Sequence, residues 1–196
     1  MSMIIAVVGM PGSGKSTASD ILVDMGLSYI RLGQLTIEKL KEAGLEVNEH
    51  NERRVREGLR REHGPAAYAI LNFPKIDEMA KRQDVVVDGL YSWAEYLEFK
   101  SRYKEGCKVL CIYASPKTRY ARLAKRAPSD DDPKHRDRAL TAQEAWSRDK
   151  SQLENMDTGG PIAMADYTVV NEGSRDELDP ALRELAGAFL STSSRS

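Results

Sequence analysis

The chain has 196 residues, of which 30% are charged and 41% are hydrophobic, and its formal net charge is −1. This length fits one domain with insertions better than two small domains, and the balanced charge argues against nucleic acid as a partner. No apolar run is long enough to cross a membrane. We expect the protein to be a monomer or a homodimer. The two cysteines, Cys107 and Cys111, give no disulfide framework, so a cytoplasmic location is favoured.

The N-terminal stretch combines a strand, a glycine loop and a helix. Residues 4–8 are apolar and mostly β-branched, so we expect a buried strand there and not a secretory signal. Residues 9–16 read GMPGSGKS and fit the phosphate-binding pattern G-x-x-x-x-G-K-[S/T]. Lys15 is expected to contact the β- and γ-phosphates of ATP, and the Ser16 hydroxyl to bind Mg²⁺. The predicted phosphate-binding residues are Gly9, Met10, Pro11, Gly12, Ser13, Gly14, Lys15, Ser16 and Thr17.

Strands and helices alternate along the rest of the chain. Strands are predicted at 4–8, 28–32, 84–88, 108–113 and 165–170. Helices are predicted after the glycine loop to about 25, over 33–43, 48–63, 66–81, 93–103 and 115–126, then to about 156 and over 176–190, with a break at 159–161. This alternation predicts an α/β fold with a mostly parallel sheet and helices on both faces. Ligands of such sheets bind beyond the carboxyl ends of the strands, where Gly9, Asp88 and Asn171 are expected.

Asp88 ends the third predicted strand, which reads DVVVD. P-loop proteins place a magnesium-directed carboxylate at the end of such a strand. An Asp-Gly pair also forms turns, so Asp88 and Gly89 alone would carry little weight. Beside the glycine loop, Asp88 is predicted to act with Ser16 on Mg²⁺.

One basic cluster lies in the predicted helix at 48–63. Arg53, Arg56 and Arg60 share one face of that helix. Acidic residues are interleaved with them, namely Glu52, Glu57 and Glu62. Two interpretations stay open: a solvated face with ion pairs, or a binding site for an acceptor phosphate.

A second basic cluster follows the fourth predicted strand. Its members are Arg119, Arg122, Lys125 and Arg126, followed by Arg136, Arg138 and Arg148. Phosphoryl transfer needs positive charge on the transferring group and exclusion of water. Arg122 and Arg126, four residues apart on one helix face, are the preferred catalytic candidates. Arg148 is a third, although a solvated helix face would show the same pattern.

The segment 171–174 follows the last predicted strand and reads NEGS. Ser174 stands three residues before Glu177, which is the spacing of a helix capping box. The segment also lies where its backbone could contact a nucleotide base. Both functions can hold together, so the predicted nucleotide-binding residues include Asn171, Gly173 and Ser174.

Four segments together resemble the nucleotide kinase branch of P-loop proteins: GMPGSGKST, DVVVDG, ASPKTRYARLAKR and ADYTVVNEGSRDEL. The last is similar to the ADYxIxNxGSxxxL end of dephospho-CoA kinases. From residue 3 to about 190, with the stretch at 129–133 included, the chain is most similar to a prokaryotic group described as adenylate-kinase-related or dephospho-CoA-kinase-like. The resemblance implies a three-layer P-loop fold like that of nucleoside monophosphate kinases, with a five-stranded parallel core. It also implies an acceptor-binding insertion at about 33–82, a lid at about 126–150 and ATP as donor.

The chain departs from adenylate kinases on the acceptor side. Those enzymes carry G-D-x-x-R after the second strand, where this chain has Gln34 for the acid and Ile37 for the arginine. They also carry an arginine soon after the Asp-Gly pair of the third strand, where residues 90–92 are Leu-Tyr-Ser. Both changes remove positive charge from the acceptor side, unless Arg31 or the helix at 48–63 supplies it.

The main hypothesis is therefore a phosphotransferase that uses ATP and Mg²⁺ and acts on a small, nucleotide-like acceptor, such as a nucleoside monophosphate. One alternative acceptor is the ribose hydroxyl of dephospho-CoA. A third possibility is a P-loop ATPase switch that phosphorylates no small molecule. The missing acceptor-side arginines favour the switch, whereas the arginine-rich lid region favours the kinase.

Overall fold

A computed structural model describes residues 2–126 and 139–193 of the chain. Their five strands form one parallel sheet in the order β2-β3-β1-β4-β5. The strands are β1 Ile4–Val8, β2 Ser28–Arg31, β3 Val85–Asp88, β4 Cys107–Tyr113 and β5 Tyr167–Val170. The predicted α/β fold class is confirmed, and each strand lies within one residue of its predicted start or end except β5, which begins two residues later.

Nine α-helices lie within the described residues. They are α1 Lys15–Asp24, α2 Gln34–Glu42, α3 Glu49–His63, α4 Ala67–Ala80, α5 Trp93–Tyr103, α6 Pro116–Ala124, α7 Ala142–Met156, α8 Gly159–Ala163 and α9 Arg175–Ser193. The prediction of a break at 159–161 was wrong, because these residues form α8. A side chain at Gly160 would lie 2.7 Å from the ring of Trp93, so a residue without one lets α8 pack closely on α5.

The sheet separates two apolar cores. One core packs the sheet against α4 and α5, with Phe73 and Phe99 in edge contact at 5.2 Å. The other packs it against α1 and α9. Cys107 and Cys111 are buried on the same face of β4, as their spacing predicts. Every helix in the described segments is too short or too polar to traverse a lipid bilayer.

The central position of β1 determines where the glycine loop lies. In the sheet, β1 pairs with β3 on one side and β4 on the other, and Val7 is opposite Asp88. Because all strands are parallel, their carboxyl ends meet at one edge. The loop after β1 therefore lies beside the end of β3, which carries Asp88.

Candidate phosphate-binding and phosphotransfer site

The glycine loop between β1 and α1 has backbone angles that favour glycine. Gly9, Gly12 and Gly14 have φ values of 146°, 81° and 100°. A side chain at Gly9 would overlap the carbonyl oxygen of Ile112, and one at Gly12 would lie 2.7 Å from the carbonyl oxygen of Arg119. The loop is thus pressed against β4 and α6, and larger residues at these positions would force it out of shape.

The end of the loop presents unpaired backbone donors. Among the described residues, none accepts a hydrogen bond from the N–H groups of Gly14, Lys15, Ser16 or Thr17. The buried hydroxyl of Ser13 also has no partner there. These donors stand at the N-terminus of α1, where the helix dipole favours negative charge. The arrangement fits a bound phosphate chain.

Lys15 is folded back over the loop that it belongs to. Its ammonium group donates to the carbonyl oxygen of Met10 at 3.1 Å and lies 5.9 Å from the ring centre of Tyr91. Burial lowers the pKa of Lys15 from 10.5 to about 8. A phosphate placed on the loop would bring further negative charge to this half-buried cation.

The charges around Lys15 come from β3, α6, α7 and the residues just after α6. Asp88 opposes the effect of burial on the pKa of Lys15, whereas Arg148, Arg126 and Arg119 lower that pKa further. These side chains therefore lie close enough to share one electrostatic field with the loop. Two of the three predicted catalytic arginines, Arg126 and Arg148, are brought to Lys15 in this way.

Asp88 and Ser16 have the chemistry that Mg²⁺ requires. Asp88 is 4% exposed, and one of its carboxylate oxygens accepts a hydrogen bond from the hydroxyl of Tyr29 at 3.0 Å. The hydroxyl of Ser16 has no partner among the described residues. Mg²⁺ prefers oxygen ligands and is usually held by one or two protein groups together with phosphates and water. The two residues fit the ion without a larger cluster of acidic side chains.

Arg122 has partners on the far side of the loop. Its guanidinium donates to the carbonyl oxygens of Asn171 at 2.9 Å and Gly173 at 2.6 Å, and to the side-chain oxygen of Asn171 at 3.3 Å. The side chain thus stabilises the segment after β5 and is engaged by protein oxygens. Arg136 and Arg138 lie outside the described residues, as does most of the first half of the predicted lid.

The segment after β5 supports the glycine loop. The amide of Asn171, which is 7% exposed, donates to the carbonyl oxygen of Ser13 at 2.8 Å. Ser174 accounts for the start of α9, because its N–H and hydroxyl both donate to Glu177. These bonds are the Glu177 half of the predicted capping box, and the contact of 171–174 with a nucleotide base stays a prediction.

The chain is similar to proteins of archaea over most of its length. A UPF0200 protein of Pyrococcus abyssi is 38% identical over 88% of this chain and 89% of its own length. A UPF0200 protein of Thermococcus kodakarensis is 35% identical over 96% of this chain and 99% of its own length. The chain belongs to the UPF0200 family. A family model described as an AAA domain also matches residues 5–143.

Solved structures place this UPF0200 chain in the P-loop kinase fold. Shikimate kinase from Bacteroides thetaiotaomicron has a TM-score of 0.58 and 17% identity, covering 95% of this chain and 98% of its own. A gluconokinase from Sinorhizobium meliloti 1021 has a TM-score of 0.55 and 16% identity, covering 97% of both chains. At this identity the likeness concerns the fold alone.

One feature of the UPF0200 site that sequence patterns did not indicate is a buried ion pair. Arg119 makes two hydrogen bonds to Asp149, at 2.9 and 2.6 Å, and the two side chains are 5% and 9% exposed. Arg119 also donates to the carbonyl oxygens of Pro11 at 3.0 Å and Ala114 at 3.1 Å. The pair therefore joins α6, α7 and the glycine loop. It also holds the helix that carries Arg148.

Tyr91 is a second feature that sequence patterns did not indicate. Its N–H donates to the carboxylate of Glu95 at 3.0 Å, and its carbonyl oxygen accepts from Thr158 at 2.6 Å. Burial raises its pKa to about 12, Asp88 adds to this, and Arg31 and Arg148 oppose it. The ring of Tyr91 thus lies beside Lys15 and close to the charge of Asp88. In the sequence, only its place two residues after Gly89 connects it with this site.

Proposed function

We propose that this protein is a phosphotransferase that uses ATP and Mg²⁺ and acts on a small, nucleotide-like acceptor. One observation carries the proposal. Lys15 stands beside the unpaired N–H groups of the glycine loop, and its pKa responds to the charges of Asp88, Arg126 and Arg148. Those arginines supply positive charge for the transferring phosphoryl group. Hydrolysis of ATP by a switch can use the same charge, so the dependence of ADP release on an acceptor separates the two functions.

Each residue then has a definite part in the reaction. The N–H groups of residues 14–17 and the Lys15 ammonium bind the phosphates of ATP. Ser16 and Asp88 would hold Mg²⁺, which neutralises phosphate charge when bound. Arg126 and Arg148 offset the negative charge on the transferring group. The acceptor oxygen bonds to the γ-phosphorus as the bond from this phosphorus to ADP breaks, which needs little help from a strong base.

A hydroxyl acceptor is the second candidate, as in phosphorylation of the ribose of dephospho-CoA. Beside Lys15 the acceptor side offers the Asp88 carboxylate and the Tyr29 hydroxyl, and neither Ile37 nor the stretch 90–92 adds an arginine. A carboxylate there accepts a hydrogen bond from an alcohol, whereas it repels an acceptor phosphate. This observation favours an alcohol at the position of attack.

The test is an assay of ADP release by the purified protein with Mg²⁺ and ATP. The candidate acceptors are nucleoside monophosphates, nucleosides and dephospho-CoA, each added separately. A phosphotransferase releases ADP faster when its acceptor is present, and the phosphorylated product is identified by mass spectrometry. ADP release that no acceptor changes would contradict the proposal and support the ATPase switch.

A further inference from the structure

The arginines on the shared face of α3 have different partners. Arg53 is 2.7 Å from Glu57, and Arg56 is 2.9 Å from Glu49 and 3.2 Å from Glu52. These pairs confirm the ion-pair interpretation for two of the three residues. No described carboxylate forms an ion pair with the third, Arg60.

Arg60 lies against an aromatic ring of α4. Its guanidinium carbon is 5.5 Å from the ring centre of Tyr68, which is 5% exposed. The hydroxyl of Tyr68 is 2.6 Å from the hydroxyl of Thr36, in the first turn of α2. A cation–π contact does not use the N–H groups of a guanidinium to reach an anion, and the N–H groups of Arg60 have no hydrogen-bond partner among the described residues.

The charge of Arg60 also acts on the loop after β3. Burial raises the pKa of Glu95, and Arg60 is among the groups that oppose this effect. The carboxylate of Glu95 accepts hydrogen bonds from the N–H groups of Tyr91 at 3.0 Å and Ser92 at 3.1 Å. Arg60 thus acts on the carboxylate that holds this loop, and Lys15 lies 5.9 Å from the ring centre of Tyr91 in the same loop.

We propose that Arg60 binds an anionic group of the acceptor, a phosphate or a carboxylate. This inference rests on the proposed phosphotransferase and specifies its substrate class: an anion that reaches from Lys15 toward α3. Arg60 then supplies charge that is missing at Ile37 and at 90–92. A guanidinium with free N–H edges suits both phosphate and carboxylate, because either anion can accept two parallel hydrogen bonds.

The experiment compares Arg60→Gln with Arg53→Gln, a matched change on the same helix. The acceptors are nucleoside monophosphates and dephospho-CoA for phosphate, sugar acids for carboxylate, and nucleosides with neither group. We expect Arg60→Gln to raise the KM of the active acceptor by roughly 10- to 100-fold, the effect of one hydrogen bond to a charged group. The KM of ATP should stay within about twofold, and Arg53→Gln should change neither constant.

Arg60→Lys keeps the charge without the planar fork, so it should raise the acceptor KM by a smaller factor. An unchanged acceptor KM in Arg60→Gln, or a nucleoside as the best acceptor, would overturn the role of Arg60 and leave the phosphotransferase standing. If no compound of any class stimulates ADP release, the proposed function fails, and the role of Arg60 fails with it. Circular dichroism of each variant checks that the fold is retained.

Discussion

The phosphate-binding loop on the proposed donor side consists of nine consecutive residues, whereas the proposed acceptor side uses parts of β2, α2, α3, α4 and the loop after β3. On the donor side, distant residues hold the loop by its carbonyl oxygens, with Asn171 bonded to Ser13 and Arg119 to Pro11. On the acceptor side, the guanidinium of Arg60 lies 5.5 Å from the ring centre of Tyr68 and has no ion-pair partner among the described residues. The loop on the donor side is thus held by hydrogen bonds from distant residues, while on the acceptor side the positive charge of Arg60 is not neutralised by a described carboxylate.

This difference explains why the loop has a common phosphate-binding pattern and the acceptor side does not. All ATP-dependent enzymes of this fold bind the same triphosphate, so one backbone conformation serves them. Acceptors differ in shape and charge, and the residues that bind them come from whichever elements face the acceptor. The same loop can therefore stand beside different arrangements of arginines.

The largest effect is expected from Lys15→Ala, which tests the donor side. Loss of the ammonium should lower kcat by about 1,000-fold, the upper end of what one well-placed donor to a developing charge contributes. Acceptor-dependent ADP release measures the change, and thermal unfolding checks that the fold is retained. Turnover near the normal rate would contradict the assignment of the whole site.

A large effect on stability is expected from Asp149→Ala. Removing one partner of the buried pair leaves Arg119 without its main acceptor and should lower the free energy of unfolding by about 3–5 kcal/mol. The control is Lys150→Ala, which breaks an exposed pair with Glu154 at 3.8 Å and should cost less than about 1 kcal/mol. Urea unfolding measures both. Equal losses would mean that the donor side does not depend on this pair.

Arg126→Ala tests whether charge from outside the loop acts on the transferring group. We expect kcat to fall by about 100-fold and the affinity for ATP to change much less, because the charge matters most in the transition state. Lys125→Ala, at the exposed neighbouring position, is the control and should change neither constant. An unchanged kcat in Arg126→Ala would remove this residue from the catalytic set.

Local patterns predicted the elements and the loop well. The apolar run at 4–8 determines a strand, and the glycine spacing at 9–16 determines a loop, through interactions between residues that are neighbours in the chain. Such elements can therefore be predicted from the sequence. The turn of helix at 159–163 depends on the contact of Gly160 with Trp93, which lies 67 positions earlier in the chain. The buried pair of Arg119 and Asp149 likewise joins two helices, and each residue alone resembles part of a solvated face.

In α3 the sequence itself distinguishes Arg60 from Arg53 and Arg56. Arg53 has Glu57 four residues after it, and Arg56 has Glu52 four residues before it, so both have a partner on their own helix. At the same offsets Arg60 has Arg56 and Gly64, neither of which is acidic. Only the packing of α3 on α4 reveals the ring that Arg60 contacts instead.

The smallest predicted effect is a dependence on pH that belongs to the donor side. Burial lowers the pKa of Lys15 in the free protein to about 8, so the ammonium loses its proton as the pH rises through 8. Binding of ATP needs the cation, and kcat/KM for ATP reports the free enzyme. This ratio should therefore fall above about pH 8, approaching tenfold per pH unit, whereas kcat should fall only at higher pH, because bound phosphate raises the pKa of Lys15. A ratio that stays constant to pH 10 would show that the loop holds Lys15 in a more polar environment than its burial indicates.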